Sequence, residues 1–248
     1  MPGHDAQAGT PEQLLAVHLL VDTGVDDALA VIAAAVHPGL RLAEVTVCAG
    51  NVPLPVAARN TRLVLDALAP GTNAVLLTRG AATRRDGRPF VERAVHGPDG
   101  LAGLRAREGR DAAEGMPTHA PRVTRAAGTL VCAAPQTTLA WLPPGRVVLT
   151  YGREGEVNYD MDPDAAREVA ATWSVAHAEQ APAVSWDEVE NAWEGLPPPD
   201  RATPLAHLVL ALLRHQADRG AGLGDADSVL RLVGSTDPLS DFVDAIRR

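Results

Sequence analysis

Lysine is missing from the 248 residues altogether: the 22 basic side chains are all arginine. That absence excludes Schiff-base lysines, Walker-type phosphate loops and phosphotransfer sites that need an ammonium group. A basic excess is lacking too. With 31 acidic side chains the formal net charge is −9, which argues against a binder of phosphate backbones, whose affinity rests on clustered cations. Aromatic residues make up only 3%. The two cysteines, Cys48 and Cys132, sit in apolar strand-like runs and read as buried thiols rather than a bridge or metal pair. Long apolar runs are absent as well: Leu14–Val21 and Ala28–Val36 are too short and interrupted to span a bilayer. The first 13 residues are polar, with neither the basic nor the apolar segment of a secretory leader. The expectation is a soluble, cytoplasmic protein with no membrane or nucleic-acid partner. What the chain does have is 46% hydrophobic residues, enough for one large α/β domain.

The first eighty residues alternate regularly. Leu14–Val21 reads as a strand, Asp26–His37 as an Ala-rich helix closed by Pro38-Gly39, and Leu42–Cys48 as a second strand. A helix over Leu54–Leu68 and a third strand over Ala74–Leu77 follow. This spacing implies right-handed crossovers, a mostly parallel open sheet flanked by helices, and ligand binding beyond the carboxyl ends of the strands. Residues 79–121 break the rhythm with eight arginines and seven glycines, and read as a long loop or lid. Strands at Leu130–Ala133, Arg146–Thr150 and Trp173–His177 then alternate with helices at Gln136–Trp141 and Asp164–Ala171. Asp162-Pro163 is a strong start for the latter, Asp as N-cap and Pro at the first helical position. Helices over Trp186–Trp193, Leu205–Asp218 and Pro238–Ile246 complete a single domain spanning 1–248, its residues 1–13 flexible.

The most informative stretch is Val21-Asp22-Thr23-Gly24-Val25-Asp26-Asp27-Ala28. A strand ends, a glycine turns the chain and a helix begins, leaving three carboxylates within six residues at the carboxyl edge of the sheet. Such a cluster is costly unless a cation compensates it. Oxygen ligands without a neighbouring His or Cys point to calcium or magnesium rather than zinc. Placement of Asp26 and Asp27 at the positive end of a helix would explain those two acids, but not Asp22. An aspartyl phosphotransferase would also put acids here, yet such sites normally add a lysine.

Asp22-Thr23-Gly24-Val25-Asp26-Asp27-Ala28, with Ala49-Gly50-Asn51 and Arg59-Asn60-Thr61, resembles the inosine–uridine-preferring nucleoside hydrolase family. Three further blocks follow in the family's order: Val95-His96-Gly97-Pro98-Asp99-Gly100-Leu101, Thr129 to Ala140, and Glu156-Val157-Asn158 leading to Asp162-Pro163. The resemblance implies cleavage of a ribonucleoside N-glycosidic bond, with Ca2+ chelating the ribose diol and the attacking water. It also implies a small-molecule substrate and allows a homo-oligomer. Residue by residue, it makes Asp22 a metal ligand and the base that takes the proton from water. Asp27 becomes a second metal carboxylate and Thr137 the donor of a backbone carbonyl. Asp26, Asn51, Glu156 and Asn158 correspond to the ribose clamp, and His96 to a base-pocket histidine. Two apart in what reads as an extended stretch, Glu156 and Asn158 are expected to point to one side.

The departures are specific. Leu20 stands where the family has a supporting acid. The last metal carboxylate has two counterparts, Asp225 in Leu223-Gly224-Asp225 and, as the fallback, Asp237 in Thr236-Asp237-Pro238. In either case Gly224 or Thr236 replaces the histidine that many members use to protonate the departing base. Loss of a general acid typically costs about two to four powers of ten in rate. The alternative is therefore a hydrolase-like protein that binds a ribosylated ligand without cleaving it, or performs another reaction on it. His18, inside the first strand, reads as a satisfied core histidine, and Arg84, Arg85 and Arg88 as a solvated cluster.

Overall fold

Six short apolar runs and the glycines and prolines between them become six parallel strands. The structure is a computed structural model and describes residues 14–68, 75–90, 94–104, 128–144, 147–179, 181–193 and 203–247. Leu15–Val21 (β1) leads into Val25–Val36 (α1), Leu40–Val47 (β2), Leu54–Ala67 (α2) and Leu76–Arg79 (β3). After a one-turn 3-10 helix at Ala94–His96 come Thr129–Cys132 (β4), Thr137–Trp141 (α3), Val147–Thr150 (β5) and Val157–Met161 (α4). Pro163–Thr172 (α5) and Ser174–His177 (β6) complete the sheet region. The C-terminal part is helical: Trp186–Ala192 (α6), Pro204–Asp218 (α7), Asp225–Arg231 (α8) and Pro238–Arg247 (α9).

The strand order is β3-β2-β1-β4-β5-β6, with every pairing parallel. The chain winds outward from β1 in one direction and then, from β4, in the other. The order reverses between β1 and β4, the switch point beside whose carboxyl ends open α/β sheets place their ligand sites. The open, parallel α/β architecture expected from the spacing is thus the observed one.

Period-2 alternation along β1 sends Val17, Leu19 and Val21 to one face and Leu20 to the other, where two separate cores form. The larger one joins the sheet to α1, α2 and the C-terminal helices. Nine of the twelve residues of α1 are buried. Its alanines let it lie between the sheet and α7, α8 and α9, so it is apolar almost all round. The smaller core packs α3 and α5 through Leu139, Val169 and Trp173. Consequently the N-terminus of α1, with its acids, is held between the sheet edge and the start of α8.

Both thiols are buried, as read from the sequence, and burial pushes Cys48 up to about 12. His18 is satisfied by Thr46, its Nε2 lying 2.8 Å from the hydroxyl Oγ1. Asp162 caps α5 as expected, its Oδ1 accepting from Ala165 N at 3.3 Å. β3 lies two residues later than the apolar run suggested, because its register is set by β2, with Thr46 and Thr78 hydroxyls paired at 2.7 Å. Of the loop expected over 79–121, Arg79 belongs to β3. The parts at 80–90 and 94–104 are irregular apart from the 3-10 helix, and 91–93 and 105–121 lie outside the described residues, as do residues 1–13. The described loop is tied down: Ala81 N donates to Thr138 Oγ1 at 2.9 Å and Arg85 N to Asp162 Oδ2 at 2.7 Å. Among the described residues no helix is long and apolar enough to cross a membrane.

Candidate metal and substrate site

Asp22 follows the last residue of β1 and is fully buried. Both of its oxygens meet Asn51, from the loop after β2: Asn51 N donates to Oδ2 at 2.6 Å and Nδ2 to Oδ1 at 3.1 Å. The Asn51 amide is shared, its Nδ2 also reaching Asp27 Oδ2 at 3.3 Å. Gly50 makes this approach possible, since a Cβ there would overlap the Asp22 carboxylate and crowd the Pro135 ring.

The turn from Asp22 to α1 is strained. Thr23 has φ of 29°, the left-handed region that a β-branched residue avoids. It is over-determined by α2: Asn60 Nδ2 donates to Thr23 O at 3.2 Å, and the hydroxyls of Thr23 and Thr61 pair at 2.6 Å. Asn60 also donates to Asp99 O at 2.9 Å, while Asp99 Oδ1 accepts from Leu101 N and Gly103 N, both at 2.9 Å. The Arg59-Asn60-Thr61 and His96–Leu101 blocks therefore meet around the first turn of α1.

At that turn Asp27 Oδ2 accepts from Gly24 N at 2.8 Å, closing a capping-box contact. Asp27 Oδ1 is buried with no hydrogen-bond partner. Asp225, the first residue of α8, is brought to it from the far end of the chain. One carboxylate oxygen each of Asp26, Asp27 and Asp225 lies within 4.8 Å of the others. Three carboxylates, two of them buried, around an orphaned acceptor make a donor set that fits a hard divalent cation. Burial, followed by the charges of Asp22, Asp225 and Asp26, drives the Asp27 pKa well upward. Burial and the same acidic surroundings raise Asp225. Asp22 is pushed up to about 7 by burial, against the pull of the Asn51 N–H and with a further upward push from Asp26.

Of the residues expected in the site, Asp22, Asp26, Asp27, Asn51, His96 and Asp225 are linked by these contacts. The compact trio holds Asp26 rather than Asp22, whose oxygens face Asn51. Asp237, the fallback for the last carboxylate, is exposed and binds Ser240 at the start of α9, with Ser240 Oγ donating to Oδ2 at 2.8 Å. His96 is buried against α1. Its Nδ1 accepts from Val25 N at 3.3 Å, which puts the proton on Nε2, 3.5 Å from Asp26 Oδ1. Thr137 uses its hydroxyl on Asp162 Oδ2 at 2.6 Å. The extended stretch expected around Glu156 and Asn158 is instead the start of α4, with Glu156 as N-cap. Helical geometry removes the period-2 argument for a shared side. Asn158 Nδ2 donates to Ala133 O, just past β4, at 2.8 Å, whereas Glu156 Oε2 accepts from Arg153 N at 2.8 Å.

Sequence reasoning missed two features. Asp162 is more than a cap: fully enclosed, it also ties Thr137 and the loop after β3 together, and the only signal was its place before Pro163. Tyr151, at the end of β5, reaches the first turn of α8, a contact for which the sequence carried no signal.

An open parallel sheet with a buried carboxylate cluster beside its switch point is the place where α/β proteins of this architecture carry their ligand sites. Residues 17–143 match the family described as inosine-uridine preferring nucleoside hydrolase, and the chain belongs to that family. Its structure is similar to that of "Inosine-Guanosine Nucleoside Hydrolase (IG-NH)", with 20% identity and a TM-score of 0.68 over 88% of this chain and 78% of the other. It is similar also to the "Purine-Preferring Ribonucleoside Hydrolase from Gardnerella vaginalis", with 19% identity and a TM-score of 0.63 over 88% and 80%. The effector protein XOO4466 is matched at 14% identity and a TM-score of 0.59 over 95% of both chains. Among curated proteins, no sequence matches the chain.

Proposed function

We propose that the protein hydrolyses the N-glycosidic bond of a ribonucleoside or a closely related ribosyl compound, with calcium as its cation. The observation that carries this reading is the orphaned Asp27 Oδ1 within the Asp26–Asp27–Asp225 cluster, next to the Asn51-held Asp22. Asp22, Asp27 and Asp225, with the backbone carbonyl of Thr137, would hold the ion. When bound, it supplies positive charge that gathers the ribose diol and a water molecule and offsets the carboxylate repulsion.

The rest falls to the chain's own residues. Asp22, its carboxylate held by the Asn51 backbone and side-chain amides, accepts the proton of the attacking water at a carboxylate oxygen. The water oxygen bonds to the anomeric carbon as the C–N bond breaks; the electron pair of the C–N bond leaves with the base, which takes its proton from solvent. Asp26, Asn51, Glu156 and Asn158 orient the ribose hydroxyls, and His96 borders the base.

A second reading is binding of a ribosylated ligand without cleavage. Gly224, which precedes Asp225, favours it. With φ of 60°, and with any Cβ placed there falling 2.4 Å from Asp26 Cβ, the position does not take a side chain that could protonate the base unless Asp26 shifts. His96 is also committed, to Val25 and Asp26. The deciding experiment incubates the protein with calcium and a panel of ribonucleosides and measures reducing sugar. Sugar release that Asp22→Asn lowers by about 100-fold or more supports hydrolysis. Calcium-dependent ligand binding without release supports the second reading. Failure to bind calcium or any ribosyl ligand refutes both.

A further inference from the structure

We propose that Tyr151 and Ser228 form a latch that positions Asp225 and so sets the affinity of the cluster for a divalent cation. The inference rests on the cation reading of that cluster, but not on hydrolysis. Asp26 and Asp27 share one helical turn, whereas Asp225 arrives on a separate element. Like charges oppose its arrival, so packing and hydrogen bonds must hold it there before any cation binds. Packing supplies one part: Ala226, Val229 and Leu230 are wholly buried, and α8 lies along α1.

Tyr151 supplies the other. It extends from the end of β5 toward the first turn of α8, and its side chain is half-buried. Its phenol O–H donates to Ser228 Oγ at 2.5 Å and faces the Gly224 carbonyl at 3.4 Å. Gly224 precedes Asp225 and Ser228 follows it by three residues, so the phenol grips the backbone on one side of the ligand carboxylate and the helix on the other. The neighbouring acid is managed separately. Asp227 Oδ2 and Oδ1 accept from Arg231 Nε at 2.6 Å and from its Nη2 at 3.2 Å, a fork that balances the charge of Asp227. Among the described residues, this phenol makes the side-chain hydrogen bonds that join the sheet to the start of α8. Groups that orient a metal ligand without touching the metal commonly govern affinity by tenfold or more. Tyr151 is therefore a positioning residue.

The test titrates calcium chloride into the wild type, Tyr151→Phe, Ser228→Ala and the double variant by calorimetry, and records melting in EDTA. Each single variant should lose about tenfold in calcium affinity. The double variant should lose no more than either single, since one contact is removed twice. Ser228→Thr, which keeps the hydroxyl, should restore binding, and melting in EDTA should change little. Wild-type affinity in Tyr151→Phe, or additive losses in the double variant, would overturn the latch. Reducing-sugar release by the wild type is scored in parallel. Tyrosine-dependent calcium binding without release leaves the latch standing and removes only the hydrolase reading.

Discussion

Replacing Asp225 with asparagine should stabilise the cation-free protein and abolish its response to calcium. The side chain is buried, and its carboxylate lies within 4.8 Å of oxygens on Asp26 and Asp27. At about 5 Å and an effective dielectric near 20, each pair of full charges repels by about 3 kcal/mol. The folded cluster limits that cost by taking up protons, as the raised positions of Asp22, Asp27 and Asp225 express. The net gain from neutralising one member at pH 8 is then about 1–3 kcal/mol, or roughly 3–10 °C in Tm for a domain of this size. The sign with pH follows from linkage. These carboxyls have folded pKa values above their unfolded ones, so the native state binds more protons from about pH 4 up through the folded pKa, which for Asp22 is about 7. Cation-free stability should fall across that window in the wild type, and less steeply in Asp225→Asn. Calcium at about 100 times its Kd at pH 8 should raise wild-type stability by about 2.7 kcal/mol there, and the same concentration by less at lower pH, where protons occupy the ligands. Differential scanning fluorimetry in EDTA and in calcium, from pH 5 to 8, measures all of this. A variant that melts lower than wild type at pH 8 in EDTA, and still gains the full calcium shift, would refute the reasoning.

Other substitutions separate the roles of neighbouring groups. Thr137→Val removes the hydroxyl on Asp162 but keeps the carbonyl, so it should cost about 1–3 kcal/mol by urea unfolding and leave the calcium-induced Tm shift unchanged. Gly50→Ala drives a methyl group into the Asp22 carboxylate and should destabilise by about 1–3 kcal/mol; calorimetry should show weakened calcium binding as well. Gly224→His puts an imidazole just before Asp225, at φ of 60° and with its Cβ against Asp26. It should lower Tm and calcium affinity instead of raising kcat, as steady-state sugar release will show.

How far such a site is legible depends on how local its contacts are. Asp22, Gly24, Asp26 and Asp27 lie in one strand-turn-helix unit, where period, glycine and capping chemistry all speak from adjacent positions. The sheet was legible for the same reason: each crossover is written within a few dozen residues. Asp225 was different. Two acids near the C-terminus suited the same part, and only the packing of α8 on α1 separates them, Asp225 beside Asp27 and Asp237 exposed on Ser240. α8 itself was not read as a helix, because Asp225 and Asp227 interrupt its apolar pattern at positions that are nonetheless buried. The extended stretch expected around Glu156 and Asn158 gave way to a competing local signal: the turn ahead of the Asp162 cap folds into α4, where alternation has no meaning. Thr137, Asp162 and Arg85 join three loops through one buried carboxylate, and Tyr151 meets Ser228 across the whole C-terminal half. Contacts of that range leave no period in a single sequence. They decide how tightly the carboxylates are held, whereas the residues near β1 decide that carboxylates are there at all.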